Sequence, residues 1–355
     1  MGHVLSEPRG RQRRSSAIAT LLLAISLGLV APCHAAVVKE ARSLLGTLVE
    51  ITVIDPDESK ALRAMDQAFA EIRRIEDLMS YYRPNSEVSR INAAPAGQEV
   101  RVSPEVFGLL DHAQTISCLT EGAFDITFAP LWELWGKCAK ERRLPSSMEL
   151  AQAKCSVDYR KVCLMRKTQE VKLMLPGMRI NLGGIAKGHA VARAGRVLQD
   201  QGLDNYLVNI GGDILARGEG REGKGWRIGI QHPRRSGDLI GMLWIKDGCS
   251  LTSGDYERYF QIDGKRYHHI IDARSGYPAP GCSAVTILAP RLSHDYLPSA
   301  AVFLLGPDRG LALLQDRPEM AGLIITSEGR VLTTSNLSGF LEAPLPAHLD
   351  MTEAE

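Results

Sequence analysis

The chain has 355 residues, 45% of them hydrophobic and 23% charged, with a formal charge of +1. This is the balance of an ordinary globular protein, long enough for one large domain or two smaller ones. The near-neutral charge argues against a broad nucleic-acid footprint, and past the N-terminal segment no run approaches the ~18 apolar residues of a membrane span.

At the N-terminus Arg9, Arg11, Arg13 and Arg14 precede an apolar run over 17–31, followed by Pro32, Cys33, His34, Ala35 and Ala36. A basic stretch, a short apolar core and small residues describe a secretory signal peptide. Residues 1–35 are therefore read as a cleaved signal and 36–355 as the mature, periplasmic protein. The apolar run is short for an uncleaved anchor. Arg13-Arg14 is a poor match to a twin-arginine signal, and Pro32 sits awkwardly before a lipidated Cys33. Six cysteines remain after cleavage (Cys118, Cys138, Cys155, Cys163, Cys249 and Cys282). An even number permits disulfides, and buried thiols explain them equally well. No Cys/His grouping has zinc-like spacing.

A strand is expected over 46–54 and an amphipathic helix over 60–79, with Leu62, Met65, Phe69, Ile72 and Ile75 at helical spacing. A turn-rich stretch, SYYRPNSEVSRIN, follows. Ser103-Pro104 opens a helix reaching about Cys118. Residues 122–136 mix Gly, Pro and two Trp and read as a binding segment, and 137–160 as an insertion or helical excursion. Strands are expected at 161–165, 170–175 and 178–182, then a helix after INLGGIAKG to about Asp200. Strands at 206–210, 214–217, 226–231, 241–245, 250–252, 257–262 and 283–288 come next. Helices at 296–305 and 308–315 and strands at 321–326 and 330–333 complete the chain. Such mixed runs argue for an α+β fold with mixed, largely antiparallel sheets over a doubly wound one.

Residues 180–189, INLGGIAKGH, contain three glycines, one lysine and no acid. The segment is neither a Walker A loop nor a GxGxxG fingerprint. Its glycines allow close backbone approach, a helix N-terminus follows, and Lys187 adds a point charge, so an anion fits. In a second cluster, around the Asp263-Gly264 hairpin signal, His268, His269 and Asp272 fall within five residues. Adjacent strand residues point to opposite faces, so one histidine faces a cavity and the other does not. In a third, Asp295 and Ser299 stand four apart at the start of an expected helix, where oxygen ligands suit Mg²⁺.

In order along the chain, MSYYRPNSEVSRIN, AFDIT…PLWELWG, INLGGIAKGHAVARA, YLVNIGGDILARG, SLTSGDYERYF, DGKRYHHIIDARSGYP and HDYLPSAAVFLLG resemble the ApbE family of FAD:protein FMN transferases. The resemblance runs from about Leu45 to the C-terminal region. It implies a T-fold-like α+β architecture and an enzyme that splits FAD between its phosphates. Such an enzyme attaches FMN to a threonine or serine of an exported redox protein through a phosphoester and releases AMP. The acceptor implied carries an Asp-x-x-Ser/Thr-Gly-Ala-Thr motif.

Carried over by position, Asp295, Ser299 and the Gly184 carbonyl match the Mg²⁺ ligands, with Ser299 in place of the commoner Thr. His269 matches the general base. Leu45 (where Met is usual), Tyr82, Ala123, Phe124, Asp125, Asn181 (where Asp is frequent), Lys187, Ile271 and Asp272 match flavin or nucleotide positions. His268 stands where the family has Ser and is given no role. An FAD pyrophosphatase using water as acceptor, or a non-catalytic flavin carrier, are the alternatives.

Overall fold

The computed structural model describes residues 36–290 and 296–352. The expected signal segment and Asp295 lie outside the described residues. Strands β1 (Ala36–Leu44) and β2 (Thr47–Asp55) form a hairpin. The expectation began only at Gly46, because β1 is an edge strand whose Lys39, Glu40 and Arg42 hide its alternation.

Helix α1 (Glu58–Met79) is capped by Asp57, whose carboxylate accepts the Lys60 amide at 2.9 Å, and it buries Met65, Phe69, Ile72 and Ile75 along one stripe. Inside the turn-rich stretch lies a short helix, α2 (Glu87–Ala93), capped by Ser86. At seven residues it is too brief to display a period. A two-residue strand, β3 (Val100–Arg101), precedes α3 (Pro104–Leu119), which opens at Ser103-Pro104 as expected.

The segment read as a binding one at 122–136 runs into a regular helix, α4 (Ala129–Glu141), with Leu131, Trp135 and Cys138 buried at helical spacing. Helix α5 (Ser147–Lys154) and strands β4 (Val162–Met165) and β5 (Glu170–Leu173) follow. No strand forms over 178–182, because the Ile180 backbone is taken by a side chain. Asn92 donates to its carbonyl at 2.9 Å and accepts its amide at 2.8 Å.

Helix α6 (Ala186–Asp200) leads to β6 (Tyr206–Ile210), β7 (Asp213–Arg217), β8 (Trp226–Gln231), β9 (Leu239–Ile245) and β10 (Gly248–Gly254). The hairpin of β11 (Tyr259–Ile262) and β12 (Lys265–His268) turns at Asp263-Gly264. Then come β13 (Cys282–Ala289), α7 (Ser299–Leu305), α8 (Pro307–Gln315), β14 (Ala321–Thr326) and β15 (Val331–Thr333).

Eight strands form the main sheet in the order β1-β2-β6-β7-β10-β13-β14-β15, every neighbouring pair antiparallel. Helices α1, α6, α7 and α8 pack on one face. The β8–β9 hairpin contributes to a second apolar layer with side chains of the main sheet. Strand β13 shows why its sequence is almost wholly apolar: Val285 and Ile287 enter the helical core while Ala284 and Leu288 enter the second layer. A third, smaller core joins α4 and α5 to the β11–β12 hairpin through Trp135 and Ile271. The six described cysteines are all free: Cys138, Cys249 and Cys282 are buried, and Cys118, Cys155 and Cys163 are exposed.

Candidate active site

Where the helical layer meets the strand ends of the main sheet there is a cavity of about 420 Å³, within the range of small-molecule sites. Two tight turns form part of its wall. In the β1–β2 turn both central residues are left-handed, Leu45 at φ 55° and Gly46 at φ 68°, the geometry that suits a two-residue hairpin. A leucine there is strained by roughly 1 kcal/mol or more. The β6–β7 turn, Gly211-Gly212, leans against it. A methyl group on Gly211 would lie 2.5 Å from the Thr47 hydroxyl, so glycine is what lets the two hairpins interlock.

The INLGGIAKGH segment forms the next wall. Asn181 accepts the Gly183 amide at 2.8 Å, closing a local turn, and its own amide is tied to the Ile126 carbonyl at 2.7 Å. Helix α6 starts within the segment, at Ala186, so Gly188 is already helical. A methyl group on Gly188 would fall 2.5 Å from the Tyr296 ring. That tyrosine donates its hydroxyl to the Ile185 carbonyl, and its own carbonyl accepts from His112 Nε2 at 2.8 Å. The glycine thus lets α6 close on the segment that leads into α7.

Lys187, in the first turn of α6, reaches across the cavity to the β6–β7 turn. Its ammonium donates to the Gly211 carbonyl at 3.3 Å and lies 3.9 Å from Asp213. Asp213 is buried, though it borders the cavity. Burial pushes its carboxyl above the ordinary range, and the Lys187 charge pulls it back.

His269 sits just past β12, where the ladder runs one pair further: its amide donates to the Arg258 carbonyl at 3.0 Å. Its Nδ1 lies 3.3 Å from the same carbonyl. A carbonyl can only accept, so the proton of the neutral ring is on Nδ1 and the Nε2 lone pair is left for a substrate. Burial, assisted by neighbouring His268, pulls the imidazole down to about 4, so it is neutral at pH 7. Arg258 in turn donates from its side chain to the Gly46 carbonyl at 2.9 Å, fastening the histidine hairpin to the Leu45-Gly46 turn.

Ser299, the first residue of α7, is buried, and its hydroxyl lies 2.8 Å from that of Ser253 at the end of β10. Among the described residues no three His, Cys, Asp or Glu converge as a metal cluster. At the mouth, Tyr82 is 72% exposed, and its hydroxyl accepts from Trp132 Nε1 at 3.0 Å.

The family model "ApbE family" matches residues 45–324. The chain is 33% identical over 294 residues to the FAD:protein FMN transferase of Klebsiella pneumoniae (strain 342), covering 82% of this chain and 90% of that protein. It is 30% identical to the protein of the same name from Haemophilus influenzae, covering 90% and 95%. The chain belongs to the ApbE family.

Solved ApbE structures share its fold. The ApbE protein of Thermotoga maritima superposes with a TM-score of 0.78 at 33% identity, covering 87% of this chain and 100% of that one. The flavin transferase ApbE of Vibrio cholerae does so at 0.75 and 29%, covering 86% and 100%.

In this ApbE chain, Leu45, Tyr82, Asn181, Gly184, Lys187, His269 and Ser299 all line the one cavity, although they span more than two hundred residues of sequence. Ala123, Phe124, Asp125, Ile271 and Asp272 do not line it. Phe124 lies behind Gly184, where a methyl group would come within 3.1 Å of its ring. Asp125 is occupied elsewhere, accepting from the Thr127 amide and hydroxyl, both at 2.7 Å, and from the Tyr159 amide of a separate segment at 2.8 Å. Asp272 likewise accepts from Arg274, at 2.7 Å from the guanidinium and 2.9 Å from the amide. Ala123 accepts the Ala273 amide at 3.3 Å, and Ile271 belongs to the third core. These five residues form a frame behind the cavity.

Asp213, Ser253 and Arg258, which the sequence analysis leaves without a role, line the cavity, and so does Trp132 from the segment read as a binding one. Gly-Gly after an alternating strand marks the turn that precedes Asp213, but not the side chain's direction.

Proposed function

We propose that this protein transfers the FMN moiety of FAD to a threonine or serine of another protein. The observation that carries the reading is His269: a neutral imidazole, its Nδ1 proton committed to a backbone carbonyl, with Nε2 left for a substrate in the cavity where the anion-binding elements converge. Acceptor oxygen attacks the phosphorus of the FMN half, the bond to the AMP phosphate breaks, and AMP leaves with its bridging oxygen. His269 Nε2 takes the hydroxyl proton as the new bond forms, because the hydroxyl itself is too weak an acid to ionise at pH 7. Lys187 and the amide-rich turn before α6 would hold the pyrophosphate, and Tyr82, Trp132 and Leu45 supply apolar surface at the mouth for the flavin.

The side chain shown beside Ser299 offers oxygen. The Ser299 and Ser253 hydroxyls lie together and the buried Asp213 lines the same cavity, a set that suits Mg²⁺ better than a softer metal. Ser299, the Gly184 carbonyl and Asp295 would hold the ion. When bound, Mg²⁺ supplies positive charge to the phosphate oxygens under attack.

The acceptor in this reading is an exported redox protein bearing the Asp-x-x-Ser/Thr-Gly-Ala-Thr motif, met in the periplasm after cleavage of residues 1–35. The test is intact-mass spectrometry of a peptide carrying that motif after incubation with residues 36–355, FAD and Mg²⁺. A mass gain equal to FMN that requires Mg²⁺ supports the transferase. FAD converted to free FMN and AMP beside an unmodified acceptor protein would overturn it in favour of a pyrophosphatase.

A further inference from the structure

His268 precedes the proposed base and points the other way. Its ring is buried, with Nε2 3.0 Å from the Ala279 carbonyl, while Nδ1 accepts the Ile270 amide at 3.3 Å. The carbonyl partner places the proton on Nε2 and leaves the Nδ1 lone pair for Ile270. Ala279 returns its own amide to the Ile270 carbonyl at 2.9 Å. Phe303 of α7 meets the His268 ring edge-on, centroids 5.5 Å apart at 74°.

The backbone is therefore pinned on both sides of His269. Before it, the ladder bond to Arg258 fixes the amide. After it, the Ile270 amide is held by the His268 side chain. A side-chain acceptor that binds the amide two residues on is what Ser, Thr, Asn and Asp provide in tight turns. Here an imidazole does so, and its remaining nitrogen and ring edge are used on Ala279 and Phe303.

We infer that His268 is a positioning residue for the transfer step: by holding the Ile270 amide it fixes the chain just after His269 and hence the aim of Nε2. The inference rests on reading His269 as the base. It also explains how a histidine stands at a position where the resemblance puts serine, since both offer the one acceptor the turn requires.

Three variants separate this from a packing role. His268→Ala, His268→Ser and His268→Asn all lose the Phe303 contact and the bond to Ala279, so a packing role would affect them alike. Only Ser and Asn keep an acceptor for the Ile270 amide. The expected result is that His268→Ala lowers kcat for transfer about 10- to 100-fold, as a misaimed catalytic group does, with KM for FAD unchanged. Ser and Asn should recover most of that loss. If the alanine variant does not fold, His268→Gln takes its place, keeping bulk and a donor toward Ala279 while its oxygen lies one atom further along the side chain than Nδ1.

Equal kcat in all variants, an equal loss in all, or a parallel rise in KM for FAD would overturn the inference. His269→Ala is assayed beside them. Undiminished transfer there removes the base reading and the inference with it, whereas lost transfer with an unsplit His268 series removes only the inference.

Discussion

At the residue scale, chemistry follows from which nitrogen or oxygen has been left without a structural duty. His269 has spent Nδ1 on Arg258 and kept Nε2, whereas Asp125 has spent its carboxylate on Thr127 and the Tyr159 amide and Asp272 on Arg274. His269→Ala is accordingly expected to lower kcat for transfer by about 10²-fold or more while FAD still binds. Calorimetry with FAD alongside turnover checks both halves, and a loss of FAD affinity would instead make His269 a binding residue.

Lys187 and Asp213 give a second prediction at this scale. Replacing Lys187 by Met leaves the buried Asp213 without its cation and should cost about 1 kcal/mol, the lysine being partly exposed. Adding Asp213→Asn should recover part of that loss. Urea unfolding of the two single variants and the double measures the coupling, and strict additivity would show that the pair does not interact. The sequence displayed Lys187 plainly within its glycines. It could not display Asp213 as its partner, because only the β6–β7 turn brings the two together.

At the scale of elements, two tight packings hold the cavity open, and each yields a prediction. Leu45 occupies a left-handed position at the tip of its hairpin. Leu45→Gly should relieve the backbone and raise stability by roughly 1 kcal/mol, yet weaken FAD binding by removing an apolar side chain from the cavity. Thermal unfolding and FAD titration on the same sample read both effects, and a gain in affinity would deny Leu45 any contact with the ligand. Gly188→Ala acts on the other side of the cavity, forcing a methyl group to 2.5 Å from the Tyr296 ring. An overpacking cost of about 1–3 kcal/mol is expected in urea unfolding.

The elements themselves were legible where a long period existed. Helix α1 was read to within two residues at its start because five apolar residues repeat along it, and the Asp263-Gly264 hairpin because its turn chemistry is specific. Helix α2 is not legible because seven residues are too few to display a period. The non-strand at 178–182 is not legible because the Asn92 side chain takes the Ile180 backbone, and that bonding leaves no periodic trace in sequence.

At the scale of the whole molecule, the antiparallel sheet brings residues 45, 82, 181, 187, 269 and 299 to one cavity, and the enclosure that makes the site also sets its response to acid. His269 is held at about 4 and His268 below its ordinary value of 6.5, in each case chiefly by burial. In the unfolded chain both would protonate near 6.5, so below that pH the unfolded state binds more protons and folding weakens. The contribution is fully present above pH 6.5 and, for His269, is lost progressively as pH falls toward 4. Asp125 and Asp213 are displaced upward by burial and act in the opposite sense, but only toward the carboxylate range. Between pH 7.5 and 5 the histidines therefore dominate this set. The urea midpoint of the unliganded protein should fall across that interval, and His269→Gln should flatten the slope. An unchanged slope in that variant would place His269 near its solution pKa; the imidazole would still be largely neutral at pH 7, so the enclosure of the ring would be refuted and its role as base would not.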